Sequence, residues 1–75
     1  RRPSWHELGR AVARLNHWGV GARRRGDRIV APAPVDREAV LRAGFVPAAE
    51  RPAAFVSANP ACRIELSTVR DGAMG

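Results

Sequence analysis

The chain has 75 residues and a formal net charge of +6, and all 13 of its basic residues are arginines. A chain this short forms one small domain with a small core, and its longest apolar runs are too short to cross a membrane. Its 45% hydrophobic content excludes disorder throughout, and its excess positive charge favours polyanionic partners, nucleic acid above all.

The segment that starts at Ser4 has the pattern of a helix N-terminus, because Ser4-Trp5-His6-Glu7 fits the S-x-x-E capping box. Apolar residues then recur every three or four positions, which predicts an amphipathic helix that ends at Gly19. The expected buried stripe comprises Trp5, Leu8, Ala11, Val12, Leu15 and Trp18. Both tryptophans are therefore predicted to lie in the core rather than to stack on nucleobases.

A second face of this predicted helix carries His6, Arg10, Arg14 and His17. One interpretation is an ordinary solvated face with a histidine near the negative end of the helix dipole. The functional interpretation is a strip of phosphate contacts through Arg10, Arg14 and His17. A metal site on the two histidines is disfavoured, because they lie three turns apart without a carboxylate or cysteine at ligand spacing.

Residues 20–31 (VGARRRGDRIVA) are predicted to form a β-hairpin with a charged tip, turning at Gly26 and Asp27. Four arginines surround this turn: Arg23, Arg24, Arg25 and Arg28. They either prevent an edge strand from pairing with other chains or form a phosphate-binding surface.

The rest of the chain favours a second helix followed by strands. Residues 31–34 form a proline-rich connector, and Asp36 caps a helix over residues 37–43. A brief extended piece at 45–47 and a strand at 53–57 follow. Residues 62–69 alternate as a strand, with Cys62 and Ile64 pointing inward.

The two halves of the sequence resemble each other. Aligning the sequence with itself at a shift of 26 residues matches Leu15 with Leu41, Val20 with Val46 and Val30 with Val56. Each half then reads as a helix, a turn and a hairpin. Such a duplication predicts a pseudo-symmetric sheet with both helices on one face. The second hairpin carries less charge, so a polyanion site is expected on the first half.

We therefore expect an α+β fold, with two short helices on one face of a mostly antiparallel sheet of three to four strands, in the order α-β-β-α-β-β. Residues 4–69 form the single domain, residues 1–3 a flexible basic N-terminus and residues 70–75 a disordered tail. The uncovered sheet face leaves room for a homodimer. Lone Cys62 favours either a reducing, cytoplasmic location or a buried thiol that acts as a small hydrophobe, and no membrane partner is expected.

The sequence contains no Ser-His-Asp set, Cys-His pair, paired carboxylates or phosphate-binding glycine loop, so we expect no enzyme activity, cofactor or metal. Residues 15–19 (LNHWG), 24–28 (RRGDR) and 41–44 (LRAG) loosely resemble HicA-type messenger-RNA interferase toxins, over about half the chain. This resemblance implies a small double-stranded-RNA-binding-like fold with RNase activity. Arg28 stands where that family has its catalytic histidine, and one strand of the family's pattern is missing.

Three functions follow from these observations. The first is a basic nucleic-acid-binding module, for DNA or RNA, that contacts the phosphate backbone. The second is a small bacterial or phage protein-interaction subunit or inhibitor that docks on an acidic partner or extends its sheet. The third is a small RNase-like toxin. The residues assigned to nucleic-acid binding are Arg10, Arg14, His17, Arg23, Arg24, Arg25 and Arg28.

Overall fold

The computed structural model describes residues 2–70, which fold into two helices and five strands. The elements in chain order are α1 (Trp5–His17), β1 (Arg23–Arg25), β2 (Arg28–Pro32), α2 (Arg37–Arg42), β3 (Phe45–Pro47), β4 (Ala54–Ser57) and β5 (Glu65–Val69). The predicted α+β class is confirmed. Neither helix is long and apolar enough to span a membrane.

Helix α1 begins with the predicted capping box. The Ser4 hydroxyl oxygen accepts a hydrogen bond of 3.2 Å from the Glu7 amide, and the Ser4 amide donates to Glu7 Oε1 at 2.8 Å. These two bonds satisfy backbone donors that no helical carbonyl can reach. At the other end, Gly19 has a φ of 88°, a conformation that glycine adopts without steric cost.

Helix α2 begins at the predicted cap as well. One carboxylate oxygen of Asp36 accepts hydrogen bonds from the amides of Glu38 and Ala39, at 3.0 and 3.4 Å. The helix ends at Arg42, one residue earlier than predicted, because Ala43 is its C-terminal cap.

The five strands form one mixed sheet in the order β1-β2-β5-β4-β3. Neighbouring strands are antiparallel except β2 and β5, which are parallel. The predicted sheet is mostly antiparallel, as found, but the predicted three to four strands and the order α-β-β-α-β-β were wrong, because three strands and not two follow α2. The predicted extended piece at 45–47 is a full edge strand, and β5 lies between the two hairpins. Alternation along a strand identifies its two faces but not its neighbours, so it could not reveal this placement.

Both helices pack on the same face of the sheet. Ile29, Phe55 and Leu66 occupy matching register positions and belong to one buried cluster that also contains Leu15 of α1 and Val40 of α2. The sheet face that carries these residues is called the helix face below, and the opposite face is called the open face. The cluster is the core of the domain.

The two tryptophans do not lie in this core, contrary to the prediction. Trp5 is 69% exposed and Trp18 is 44% exposed, whereas Leu8, Ala11 and Leu15 are buried. Residues of a helix are spaced by about 100° around its axis, so the two tryptophans fall at opposite margins of the buried stripe. The spacing of apolar residues was read correctly, but the stripe is narrower than predicted.

The last strand is shorter than predicted. It begins at Glu65, and Cys62 and Ile64 are buried in the segment that precedes it. Ser57 holds this segment, because its hydroxyl donates to the Cys62 carbonyl at 2.7 Å and accepts from the Ile64 amide at 2.9 Å. Residue 1 of the predicted N-terminal segment and residues 71–75 of the predicted tail lie outside the described residues.

Candidate nucleic-acid interface

The four arginines of the first hairpin are divided between the two faces of the sheet. Their register pairs Arg23 with Val30, Arg24 with Ile29 and Arg25 with Arg28. Paired residues share a face, and Ile29 lies on the helix face. Arg24 therefore lies on the helix face, whereas Arg23, Arg25 and Arg28 lie on the open face. The hairpin of β1 and β2 that carries these four arginines is called the arginine hairpin.

The turn of the arginine hairpin consists of Gly26 and Asp27, as predicted. Gly26 has a φ of 66°, and two-residue hairpins commonly require a positive φ at this position. The carboxylate of Asp27 is engaged from outside the hairpin, because Arg2 Nη2 lies 3.4 Å from Asp27 Oδ2. The N-terminal segment thus contacts the tip of the hairpin through a charge pair.

Arg25 and Arg28 face each other directly across the hairpin. Like charges at opposed positions destabilise a strand pair. No acidic side chain of residues 2–70 forms an ion pair with either guanidinium; the acids are engaged in caps or with other arginines. Both side chains are exposed, so the two positive charges meet in solvent at the edge of the sheet.

Arg24 contacts α1 on the helix face. Its guanidinium carbon lies 2.9 Å from the centroid of the Trp5 ring, as in a stacked cation–π pair. A second contact ties the end of α1 to the residue before β1, because the Asn16 side chain exchanges two hydrogen bonds with the backbone of Ala22. One side of α1 is thereby fixed against the first hairpin.

The predicted site residues on α1 lie on another side of the helix. Arg14 Nε donates to the Ala43 carbonyl at 3.1 Å, and the His17 ring contacts Trp18 edge to face at 5.1 Å. Arg10 and Arg14 line a groove of about 230 Å³ together with Glu7, Ser57, Asn59, Cys62 and Ile64. The structure therefore does not bring Arg10, Arg14 and His17 into one strip with the arginine hairpin.

A second groove lies beside the hairpin tip. It measures about 380 Å³ and is lined by Arg2, Pro3, Asp27, Arg28, Arg63 and Glu65. Its lining carries both signs of charge, and Arg28 borders the groove, whereas Arg25 does not. The N-terminal segment forms one wall of this groove.

The other arginines near the open face are neutralised by a four-residue ion-pair network. Arg63 pairs with Glu50 and, at 3.4 Å, with Glu65, and Glu65 also pairs with Arg51 at 3.2 Å. The hydrogen bond and the positive charge of Arg63 lower the pKa of the Glu50 carboxyl, and the bond to Glu50 raises the pKa of Arg63. Arg25 and Arg28 lie outside this network and form no ion pair within residues 2–70.

No family model, curated protein or solved structure matches this chain. Within residues 2–70, no three His, Cys, Asp or Glu side chains lie close enough together to hold a metal ion. The resemblance to HicA-type toxins stays a prediction, and Arg28 at the histidine position supplies no general base, because a guanidinium does not lose its proton in proteins.

Two members of this site were missed by the sequence reasoning. Trp5 was assigned to the core, and Arg2 was assigned to a flexible end. The helical spacing of about 100° per residue places Trp5 at the margin of the stripe, which was the available signal for its exposure. No spacing rule links Arg2 to Asp27, 25 residues away.

Proposed function

We propose that this chain is a small, non-enzymatic nucleic-acid-binding module whose arginine hairpin contacts the phosphate backbone. The observation that carries the proposal is the opposed pair Arg25 and Arg28, two exposed guanidinium groups with no acidic partner within residues 2–70. A phosphate group between them would remove their repulsion and accept charge-assisted hydrogen bonds from both.

The place of this pair in the sheet supports the same function. Strand β1 is an edge strand, so a nucleic-acid backbone can approach the pair without displacing another strand. Phosphate is common to DNA and RNA, and the proposal therefore covers both.

Contacts of this kind have little sequence specificity and depend strongly on salt. Each phosphate contact releases condensed counterions, so the logarithm of the binding constant falls with the logarithm of salt concentration by about 0.9 per contact on duplex DNA. A cytoplasmic location, where nucleic acid is present and the buried Cys62 thiol stays reduced, belongs to the same proposal.

A second candidate is the protein-interaction subunit, which three exposed apolar side chains favour. Trp18, Leu41 and Val46 are 44%, 48% and 39% exposed, and a protein partner would cover such side chains. In this alternative the arginine hairpin docks on an acidic partner surface. The expected difference is that binding then selects one protein and not nucleic acids in general.

The deciding experiment is fluorescence anisotropy with labelled DNA and RNA, single-stranded and duplex, at about 50 and 200 mM salt. The double variant Arg25→Gln/Arg28→Gln is compared with Arg37→Gln/Arg70→Gln, which removes the same charge from two other exposed arginines. We expect the first variant to lower the salt slope by about 2 and the affinity by about 10-fold or more, because two phosphate contacts are lost.

The control variant should bind nearly as the parent protein does. Equal losses in both variants would mean that net charge alone is responsible and would overturn the assignment to the hairpin. An absence of binding by the parent protein at low salt would reject nucleic-acid binding and leave the protein-interaction subunit as the function to test.

A further inference from the structure

Trp5 is the most exposed of the large apolar side chains in residues 2–70. It adds little to the core, which α1 reaches through Leu8, Ala11 and Leu15. An indole at 69% exposure leaves a large apolar ring surface in contact with water. The fold itself does not require a tryptophan at this position.

The Trp5 ring is nevertheless held in a fixed place. Its backbone belongs to the first turn of α1, which the two capping-box bonds between Ser4 and Glu7 stabilise. Its ring is held by the guanidinium of Arg24, 2.9 Å from the centroid. An exposed ring that is already ordered loses little conformational freedom when it binds a ligand.

The position of Arg24 links this ring to the proposed phosphate contacts. Successive side chains of a strand point to opposite faces, so Arg24 faces Trp5 while Arg23 and Arg25 face the other way. Strand β1 forms the edge of the sheet between them. A strand of nucleic acid that crosses this edge meets guanidinium groups on one side and the Trp5-Arg24 stack on the other.

We propose that Trp5 and Arg24 form a stacking platform for an unpaired nucleobase, so that the preferred ligand of the arginine hairpin is single-stranded nucleic acid. This inference rests on the function proposed above. A duplex keeps its bases stacked on each other, whereas a single strand can place a base against an aromatic ring and a guanidinium plane. The platform is independent of base identity, because every base has a π face.

Trp18 provides a matched control for the experiment. It is the second tryptophan of the chain, is 44% exposed and lies at the opposite end of α1. Its ring contacts His17 and lies 5.5 Å from the guanidinium of Arg42, which belongs to α2 and not to the arginine hairpin. The proposal gives Trp18 no part in binding.

The experiment compares a single-stranded oligonucleotide with the duplex of the same sequence, for the parent chain, Trp5→Ala, Trp5→Phe and Trp18→Ala. We expect Trp5→Ala to weaken single-strand binding about 5- to 100-fold and to leave duplex binding nearly unchanged. Trp5→Phe should recover most of the loss, and Trp18→Ala should bind as the parent does. Far-UV circular dichroism confirms that each variant is folded.

A second measurement covers the case in which Trp5→Ala does not fold. In a Trp18→Phe variant all tryptophan fluorescence comes from Trp5, and stacking of a base on the indole should quench it on addition of the single strand. Two results would reject the platform and leave the proposed role of the arginine hairpin unaffected. One is salt-dependent binding without quenching, and the other is an equal loss of affinity for the single strand and the duplex in Trp5→Ala. Absence of any nucleic-acid binding overturns the proposed function and the platform with it.

Discussion

Ile29 and Phe55 lie on opposite sides of Leu66, and each is paired with it in register. Ile29 is its partner in the parallel ladder between β2 and β5, and Phe55 is its partner in the antiparallel ladder between β4 and β5. The same shift of 26 residues that aligns Val30 with Val56 aligns these two residues. Two αββ units therefore flank β5 in a pseudo-symmetric arrangement, with both helices on one face.

Leu66 is fully buried and joins the two units, so Leu66→Ala should be strongly destabilising. We expect a loss of about 2–5 kcal/mol in the free energy of unfolding, from lost burial and from the cavity left behind. Urea denaturation followed by circular dichroism measures it. Leu41→Ala is the control, because Leu41 is 48% exposed and its truncation should cost far less.

Truncation of Trp5, at one margin of the predicted buried stripe, should destabilise the protein less than truncation of Leu15 in its middle. Leu15→Ala removes a side chain with no exposed surface and should also cost about 2–5 kcal/mol. Trp5→Ala removes an exposed ring and its contact with Arg24, which is worth about 0.5–1 kcal/mol. Thermal melting of both variants checks this order, and a larger loss at Trp5 would contradict the placement of the ring.

Alanine substitutions at two glycines should change the stability of the protein in opposite directions. Gly26 has a φ of 66°, where a side chain costs about 1–2 kcal/mol, so Gly26→Ala should destabilise the hairpin. Gly9 lies within α1 with open space around its Cα, so Gly9→Ala should stabilise the protein by up to about 1 kcal/mol. Melting temperatures of the two variants, measured side by side, test both signs.

Glu50 should contribute to stability in a pH-dependent way. Its pKa is lowered by the hydrogen bond and charge of Arg63, so the folded state binds this proton less tightly than the unfolded state. The contribution is fully present above the pKa of an unfolded glutamate, about 4.3, and is lost as pH falls through the lowered value. Unfolding measured from about pH 6 to pH 2 should show this loss.

The matched variant for this measurement is Glu50→Gln, which cannot ionise. Its stability should fall less steeply than that of the parent on the acid side, and the two curves should approach each other at low pH. The pair is exposed, so about 1 M salt should reduce the difference. Parallel curves over the whole range would show that the pair contributes nothing measurable.

Local features of the fold were predictable because their causes are local. The capping box at Ser4, the cap at Asp36 and the turn at Gly26 each depend on residues within a few positions, and all three were identified. The two-residue turn also implies the pairing of Arg25 with Arg28. The charge at the hairpin tip was therefore visible in the sequence.

What the sequence did not reveal depends on distant neighbours. The alternation in residues 65–69 predicts a strand but does not say that Ile29 lies on one side of it and Phe55 on the other. The exposure of Trp5 depends on where the sheet ends beneath α1. In the same way, the separation of Arg14 from the arginine hairpin follows from its contact with Ala43, the C-terminal cap of α2.

The central position of β5 has a consequence for how the chain folds during synthesis. Within residues 2–70, the two halves are joined in the sheet through residues 65–69, the last of the five strands to be synthesised. Until that strand emerges, each hairpin is a short two-stranded piece, which is at best marginally stable in water. Joining β2 to β5 then closes a loop of more than thirty residues, and such non-local pairing is slow. The nascent chain is thus expected to lack the stability of the complete domain, and to be open to chaperones or proteases, until this strand has been made.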